Sequence, residues 1–239
     1  MRMEASVAVA KVGKYAVSSS GDTVEVIERP HGGLSLVMAD GQSSGRGAKN
    51  VSAMVVRKVI SLLAEGVRDG AAARAASDTL YTERSGKVSS TLNIVSIDQQ
   101  TRTLVITRNN PCPVLVFLDG EIRVLDEPSK PVGLYRGTRP LITEIELQPE
   151  LIVVVFTDGL IHAGDRCGQA MDIPAAFRML VEDGQLSPQQ IADALLAEAL
   201  RLDEQRPADD ITIAVVRISQ RFGDQARRMT VHFPLNIWN

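Results

Sequence analysis

Hydrophobic and polar positions alternate through the first forty residues, and the breaks in that alternation carry Gly, Asp or Pro. A run near Ser6–Ser18, a break at Gly21-Asp22, a short run Thr23–Ile27, the turn Pro30–Gly33 and the run Leu34–Asp40 read as strands. An antiparallel meander is the simplest arrangement of them. From Ala48 to Asp69 the period changes: Val51, Met54, Val55, Val59, Leu62 and Leu63 recur at three- and four-residue steps, which predicts an amphipathic helix. An Ala-rich helix follows from Ala71 to about Arg84, and the short link makes the two an antiparallel pair.

Strand patterns return at Ser90–Asp98, Thr103–Thr107, Pro113–Leu125, Ile142–Leu147 and Leu151–Asp158. Asp119-Gly120 inside the third of these is a two-residue hairpin signal. Two more helices are predicted at about Ile173–Glu182 and Pro188–Leu202, then a last strand at Ile211–Ile218. Strands, helix pair, strands, helix pair, strand, with hairpins instead of repeated βαβ crossovers, is the pattern of antiparallel sheets covered by helices, an α+β fold. No repeat or Gly/Ser linker divides the chain, so residues 1–219 read as a single domain. Residues 220–239 read as a C-terminal extension in which Met229–Phe233 could add an edge strand and Trp238 a packing anchor.

Composition narrows the function classes. The chain has 239 residues, enough to bury its own core, with 26 Lys and Arg against 29 Asp and Glu and a net charge of −3. No block of like charge suggests nucleic acid or an anionic membrane as partner. No apolar run reaches the roughly 20 residues of a membrane span, and the N-terminus lacks the form of a signal peptide, so the expected location is cytoplasmic. Cys112 and Cys167 are too few for a disulfide framework and too far apart for a redox pair, which fits a reducing compartment.

The candidate chemistry is acidic. Asp22, Asp40, Asp158 and the pair Asp209-Asp210 all sit where a strand meets a turn. Any one Asp-Gly is ordinary turn chemistry. Asp40 and Asp158, however, end runs too apolar for exposed strands, and central strands deliver their ends side by side. Carboxylates gathered there raise one another's pKa, a cost that divalent cations remove, and hard cations such as Mg²⁺ and Mn²⁺ take oxygen ligands.

The ordered set Ser20-Gly21-Asp22, Ala39-Asp40-Gly41 with Gly45 following, Thr157-Asp158-Gly159 and Asp209-Asp210-Ile211-Thr212 resembles the metal-dependent protein phosphatases of the protein phosphatase 2C superfamily. The likeness is greatest to the bacterial SpoIIE-like branch, which acts in partner switching, and it runs from about Val7 to Ile218 through Pro131–Leu134 and Arg108–Phe117. It implies a four-layer α-β-β-α sandwich, two antiparallel sheets flanked by helix pairs, with two Mn²⁺ or Mg²⁺ ions at one end and a third left open. Asp40 would bridge both ions. Asp22 and the Gly41 carbonyl would complete one, and Asp158 with Asp209 the other, Asp210 being the alternate. Asp40 and Asp158 are then the catalytic centre, where water activated by the cations attacks the phosphorus of a phosphoserine or phosphothreonine in line.

The implied substrate is a small phosphorylated regulator, a STAS-type anti-anti-sigma factor or a stressosome component in a stress response, with a homodimer left open. The chain has little room for an N-terminal sensor domain, which points to the stand-alone feedback phosphatases of stressosome signalling. Two positions depart from relatives. Gln42 stands where eukaryotic members carry a His as general acid, and His162 where many bacterial members carry a Glu near a third ion. They motivate the alternative of a catalytically silent scaffold that binds the phosphoprotein. A two-metal nucleotide phosphodiesterase shares the ions but has little basic or aromatic surface behind it.

Gly41–Lys49 lacks the ending of a nucleotide-binding loop, though Ser43, Ser44 and the helix start could touch a phosphate. Lys11, Lys14, Arg46 and Lys49 read foremost as solvated surface.

Overall fold

The computed structural model describes residues 2–182, 184 and 186–234, so Trp238 lies outside the described residues. Ten strands form two antiparallel five-stranded sheets. One has the order β1 (Met3–Val12), β10 (Ile211–Gln220), β9 (Ile152–Phe156), β6 (Val114–Leu118), β7 (Glu121–Leu125). The other runs β2 (Asp22–Glu28), β3 (Gly33–Asp40), β4 (Leu92–Asp98), β5 (Thr103–Asn109), β8 (Leu141–Glu146). Their inner faces enclose an apolar layer with Leu36, Ile106, Val153 and Val216 at its heart.

Helices α1 (Gly45–Ala64) and α2 (Asp69–Arg84) bury Val55, Val59, Leu63 and Leu80 against the outer face of the second sheet. Helix α3 is a single turn, Asp158–Ile161. Helices α4 (Ile173–Val181) and α5 (Pro188–Leu202) cover the first sheet, with Phe156 and Phe177 fully buried between them and the strands. The result is the expected α-β-β-α sandwich. Each aliphatic or aromatic side chain taken fully from water contributes about 1.5–3 kcal/mol, so the continuous apolar run at β9, buried at every position, is the natural centre of its sheet.

Local chemistry explains several boundaries. Asp119 (φ 51°) and Gly120 (φ 78°) adopt the paired left-handed conformation of a type I′ hairpin, as their sequence predicts. Ser187 caps α5 by accepting from the Gln190 backbone, with the Gln190 side chain returning the bond, and Pro188 sits at the first helical position.

The opening meander is not formed. β1 pairs only with β10, and Gly13–Gly21 carries the chain across to the other sheet, where β2 pairs with β3. A nine-residue connection is long for a tight hairpin, and β10 is apolar enough to need a strand on both sides. Residues 221–234 form no strand, and Met229, Val231 and Phe233 are exposed, so the edge strand expected there is absent from the described residues. α3 was not expected: the apolar run of β9 turns directly into it at Asp158.

Candidate metal centre

The acidic residues meet at one end of the sandwich because strands of both sheets stop there. In the β2–β3 pair, Asp22 lies directly opposite Asp40. Two carboxylates at a cross-strand pair repel, and burial makes the repulsion stronger. Asp22 is fully buried, and Asp40 is partly buried. Burial first, then the Asp22 and Asp158 charges, push the Asp40 carboxyl up to about 9. Burial pushes Asp22 up to about 6, opposed by its hydrogen bond from Thr212. Without a cation beside them, both carboxyls are therefore shifted towards their protonated forms. Asp158, at the first turn of α3, is raised as well, by burial and then by Asp209.

Asp22 is also the tie between the sheets. Its Oδ2 accepts from Thr212 Oγ1 at 2.5 Å on β10 and from Thr157 Oγ1 at 3.1 Å beyond β9. Its Oδ1 is buried without a partner. An unpartnered buried carboxylate oxygen costs about 1–3 kcal/mol or more, so this atom is aimed at something a metal ion would supply. Asp40, Gly41, Asp158 and Asp209 line a cleft of about 370 Å³ above it, with Lys14 as its basic member.

The geometry separates the two adjacent aspartates. Asp210 accepts the Lys14 N–H at 2.8 Å on one oxygen and the Gly21 N–H at 2.7 Å on the other. It thereby clamps both ends of the crossover to β10. Asp209 uses one oxygen on the Asp210 N–H at 2.9 Å and faces the cleft.

Among the described residues no three His, Cys, Asp or Glu side chains converge on a single point. The carboxylates come in pairs instead, Asp22 with Asp40 and Asp158 with Asp209. An all-oxygen set of this kind suits hard cations that keep several waters, and the orphaned Asp22 oxygen fits such an ion.

Neither Asp-Gly step is the turn it resembles in sequence. Gly41 and Gly159 are absent from the left-handed positions. They are glycines because a Cβ on Gly41 would lie 2.0 Å from the Ala48 carbonyl oxygen of α1, and one on Gly159 would lie 2.2 Å from the Asp210 carbonyl oxygen. Each lets a backbone approach beside a ligand candidate.

Two lysines read as surface residues take part. The Lys11 and Lys49 ammoniums each donate to the Asp22 carbonyl oxygen at 2.7 Å, and Lys49 also to Thr23 Oγ1 at 2.8 Å. Burial holds both below the usual lysine range. Only a long-range pairing brings them there, which spacing does not disclose. Gln42 is tied down: its Oε1 accepts from the Ser89 N–H at 2.9 Å, and its own N–H donates to the Ser89 carbonyl. His162 is exposed and bonded to Asp165 through Nδ1 at 2.9 Å. Cys112 is buried, its thiol pushed up to about 12 mainly by burial, which leaves no thiolate for nucleophilic chemistry at neutral pH.

The architecture is that of the PP2C phosphatases. The PP2C phosphatase domain with a fragment of the regulatory domain of SpoIIE from Bacillus subtilis superposes with a TM-score of 0.78 at 20% identity, over 92% of this chain and 65% of that one. The serine threonine protein phosphatase PstP in complex with two manganese ions gives 0.70 at 15% identity, over 92% and 100%. RsbX in complex with magnesium gives 0.68 at 16% identity, over 91% and 99%. The chain belongs to the SpoIIE family, Stage II sporulation protein E, which residues 30–219 match.

The Stage II sporulation protein E of Priestia megaterium is 21% identical over 210 residues, 88% of this chain and 36% of that protein. Its counterpart from Bacillus subtilis (strain 168) is 22% identical over 199 residues, 83% of this chain and 24% of that protein. The chain therefore spans about a third to a quarter of the length of these relatives. Among the described residues no helix is long and apolar enough to cross a membrane.

Proposed function

We propose that this protein is a Mg/Mn-dependent serine/threonine protein phosphatase. The observation that carries the reading is the cross-strand Asp22–Asp40 pair, with an orphaned buried oxygen on Asp22, at a cleft that Asp40, Asp158 and Asp209 line. Asp22, Asp40 and the Gly41 carbonyl would hold one ion, and Asp40, Asp158 and Asp209 a second. Asp210 is the alternate to Asp209; Asp209 is favoured because it lines the cleft, whereas Asp210 accepts a backbone N–H on each oxygen. Ions held there would supply Lewis-acid stabilisation of the phosphoryl oxygens and lower the pKa of the attacking water.

The chain's own groups bind and orient the phosphate. Lys14, Ser43 and Ser44 line the same cleft, and α1 begins there with no acidic residue in its first turn, so its free N–H groups favour an anion. Gln42 has no proton to give, and its carbonyl oxygen is engaged with Ser89, so the leaving oxygen takes its proton from solvent. The substrate we assign is phosphoserine or phosphothreonine on a small STAS-type anti-anti-sigma factor or stressosome component. Membership of the SpoIIE family and the likeness to RsbX support that choice.

The test is hydrolysis of an aryl phosphate and of a phosphoserine peptide with Mn²⁺, with Mg²⁺ and with chelator, beside Asp40→Asn and Asp158→Asn. Metal-dependent turnover lost in both variants supports the reading, and turnover that survives both refutes the site. The tethered Gln42 favours one rival, a silent scaffold that binds the phosphoprotein. No turnover by the wild type, together with retained binding of the phosphopeptide, would select it.

A further inference from the structure

The chain between β7 and β8, residues 126–140, runs for fifteen residues without a regular element. Loops of that length in a compact domain are usually functional or disordered. This one is neither loose nor remote. From below, the buried Arg108 donates to the carbonyls of Asn110 at 3.2 Å, Cys112 at 3.3 Å and Glu127 at 2.6 Å. The Asn109 side chain donates to the Lys130 carbonyl at 3.0 Å, and Ser129 Oγ to the Arg108 carbonyl at 2.8 Å. From α2, Ser77 accepts the Gly133 N–H at 3.2 Å and Asp78 the Gly137 N–H at 2.9 Å.

The loop also reaches the catalytic end. Pro131 lines the cleft, and Val132 exchanges both backbone hydrogen bonds with Ser90, whose hydroxyl donates to the Asp40 carbonyl at 2.6 Å.

What the loop presents is unlike the rest of the molecule. Pro128–Pro140 contains Lys130, Arg136 and Arg139 and no acidic residue, in a chain of net charge −3. All three cations are exposed, and none has a carboxylate partner among the described residues. Two of them rest on aromatic faces: Lys130 lies 5.5 Å from the centre of the Tyr135 ring and Arg136 5.4 Å from that of Tyr81. A ring face orders a cation without neutralising it, so the charge stays available. Tyr135, 60% exposed, stands among them. Asp126 and Glu127, at the start of the loop, lie where their charge acts on Arg108.

We infer that this loop is the docking surface for the protein substrate, and that it takes an acidic segment flanking the phosphorylated residue. The inference rests on the phosphatase reading. A cleft built of aspartates repels an acidic partner, and a pre-ordered basic rim opposes that repulsion at the point of entry. Because the loop is already pinned, docking orders little chain.

The test compares wild type with the double variant Arg136→Glu/Arg139→Glu on three probes. These are an aryl phosphate, a phosphoserine peptide flanked by Asp and Glu, and a peptide of equal length flanked by Lys. Two reversed surface charges should lower kcat/KM on the acidic peptide by about tenfold, chiefly through KM, with aryl phosphate turnover unchanged and no loss on the basic peptide. Raised salt should weaken wild-type turnover of the acidic peptide and spare the aryl phosphate, a readout that needs no variant. An equal effect on both peptides, or on neither, overturns the inference. Should the wild type hydrolyse none of the probes, the phosphatase reading fails separately. Docking is then judged by fluorescence anisotropy of the labelled acidic peptide: binding about tenfold weaker in the variant upholds it, and equal binding refutes it.

Discussion

Replacing Asp40 by asparagine tests the central electrostatic argument without any substrate. Free of metal, the protein holds Asp40 protonated well above its ordinary value of 3.8, up to about 9, and Asp22 up to about 6. A carboxyl raised in the folded state contributes stability that is fully present below the unfolded value and is lost as pH climbs towards the folded one. At pH 7 the loss for Asp40 covers roughly 3 pK units at 1.36 kcal/mol each, about 4 kcal/mol, and partial solvent contact brings this to about 2–4 kcal/mol.

Asparagine keeps the shape of the protonated carboxyl and removes its titration. In chelator at pH 7 the variant should therefore melt higher than wild type, by about 5–15 °C for a domain of this size. The assay is thermal unfolding by circular dichroism in chelator and in MnCl₂ at several pH values. Metal-free wild type should lose stability between pH 5 and 8 while the variant changes less over that range. Mn²⁺ should raise wild type most at the alkaline end, because there it competes least with the proton on Asp40, and should barely move the variant. A variant that melts lower than wild type in chelator, or a wild type whose metal-free stability rises with pH across this window, would refute the reasoning.

Other expectations follow from the same geometry. Asp210→Ala leaves the buried Gly21 N–H and the part-buried Lys14 N–H without acceptors and should cost about 2–4 kcal/mol in unfolding, with or without metal. Asp209→Asn should leave metal-free stability near wild type and abolish Mn²⁺ binding by calorimetry. Gly41→Ala should displace the start of α1 and lower turnover at least a hundredfold, since its Cβ meets backbone and not a movable side chain; near-normal activity would count against close approach as the reason for the glycine. Iodoacetamide at pH 8 should label the exposed Cys167 and spare the buried Cys112, checked by peptide mass mapping, and Cys112→Ala should retain metal-dependent turnover.

Much of the layered fold could be read from periodicity, because long apolar stripes such as Val51–Leu63 and continuous runs such as Leu151–Phe156 leave few alternatives. The partner of β1 could not be read. Its alternation says which face is buried but not which strand lies beside it, and the nearest strand in sequence is the wrong one. At the site, the positions of Asp22, Asp40, Asp158 and Asp209 at strand ends were legible. The different hydrogen bonding of Asp209 and Asp210 was not, since it depends on backbone N–H groups that arrive from residues 14 and 21. Thr157 and Thr212 stand next to recognised aspartates, and the signal for them was their side-chain hydroxyls in otherwise apolar strand ends. Lys11 and Lys49 carried no signal beyond charge, because a lysine that turns its ammonium inward onto a carbonyl has the same sequence appearance as a solvated one.

The pairing of β1 with β10 also governs how the molecule can be made. Met3 meets Gln220 and Val12 meets Ile211, so β1 waits for β10, some two hundred residues further on, before it gains a neighbour. Closure over some two hundred residues is entropically slow, and the waiting strand is exposed to wrong partners meanwhile. The same late event delivers Thr212 to Asp22 and Asp210 to the amides of Lys14 and Gly21. A chain that has not yet reached β10, or is nicked before it, therefore holds Asp22, Asp40 and Asp158 but not the framework that aligns them, and the acidic cluster is assembled in one step when β10 docks.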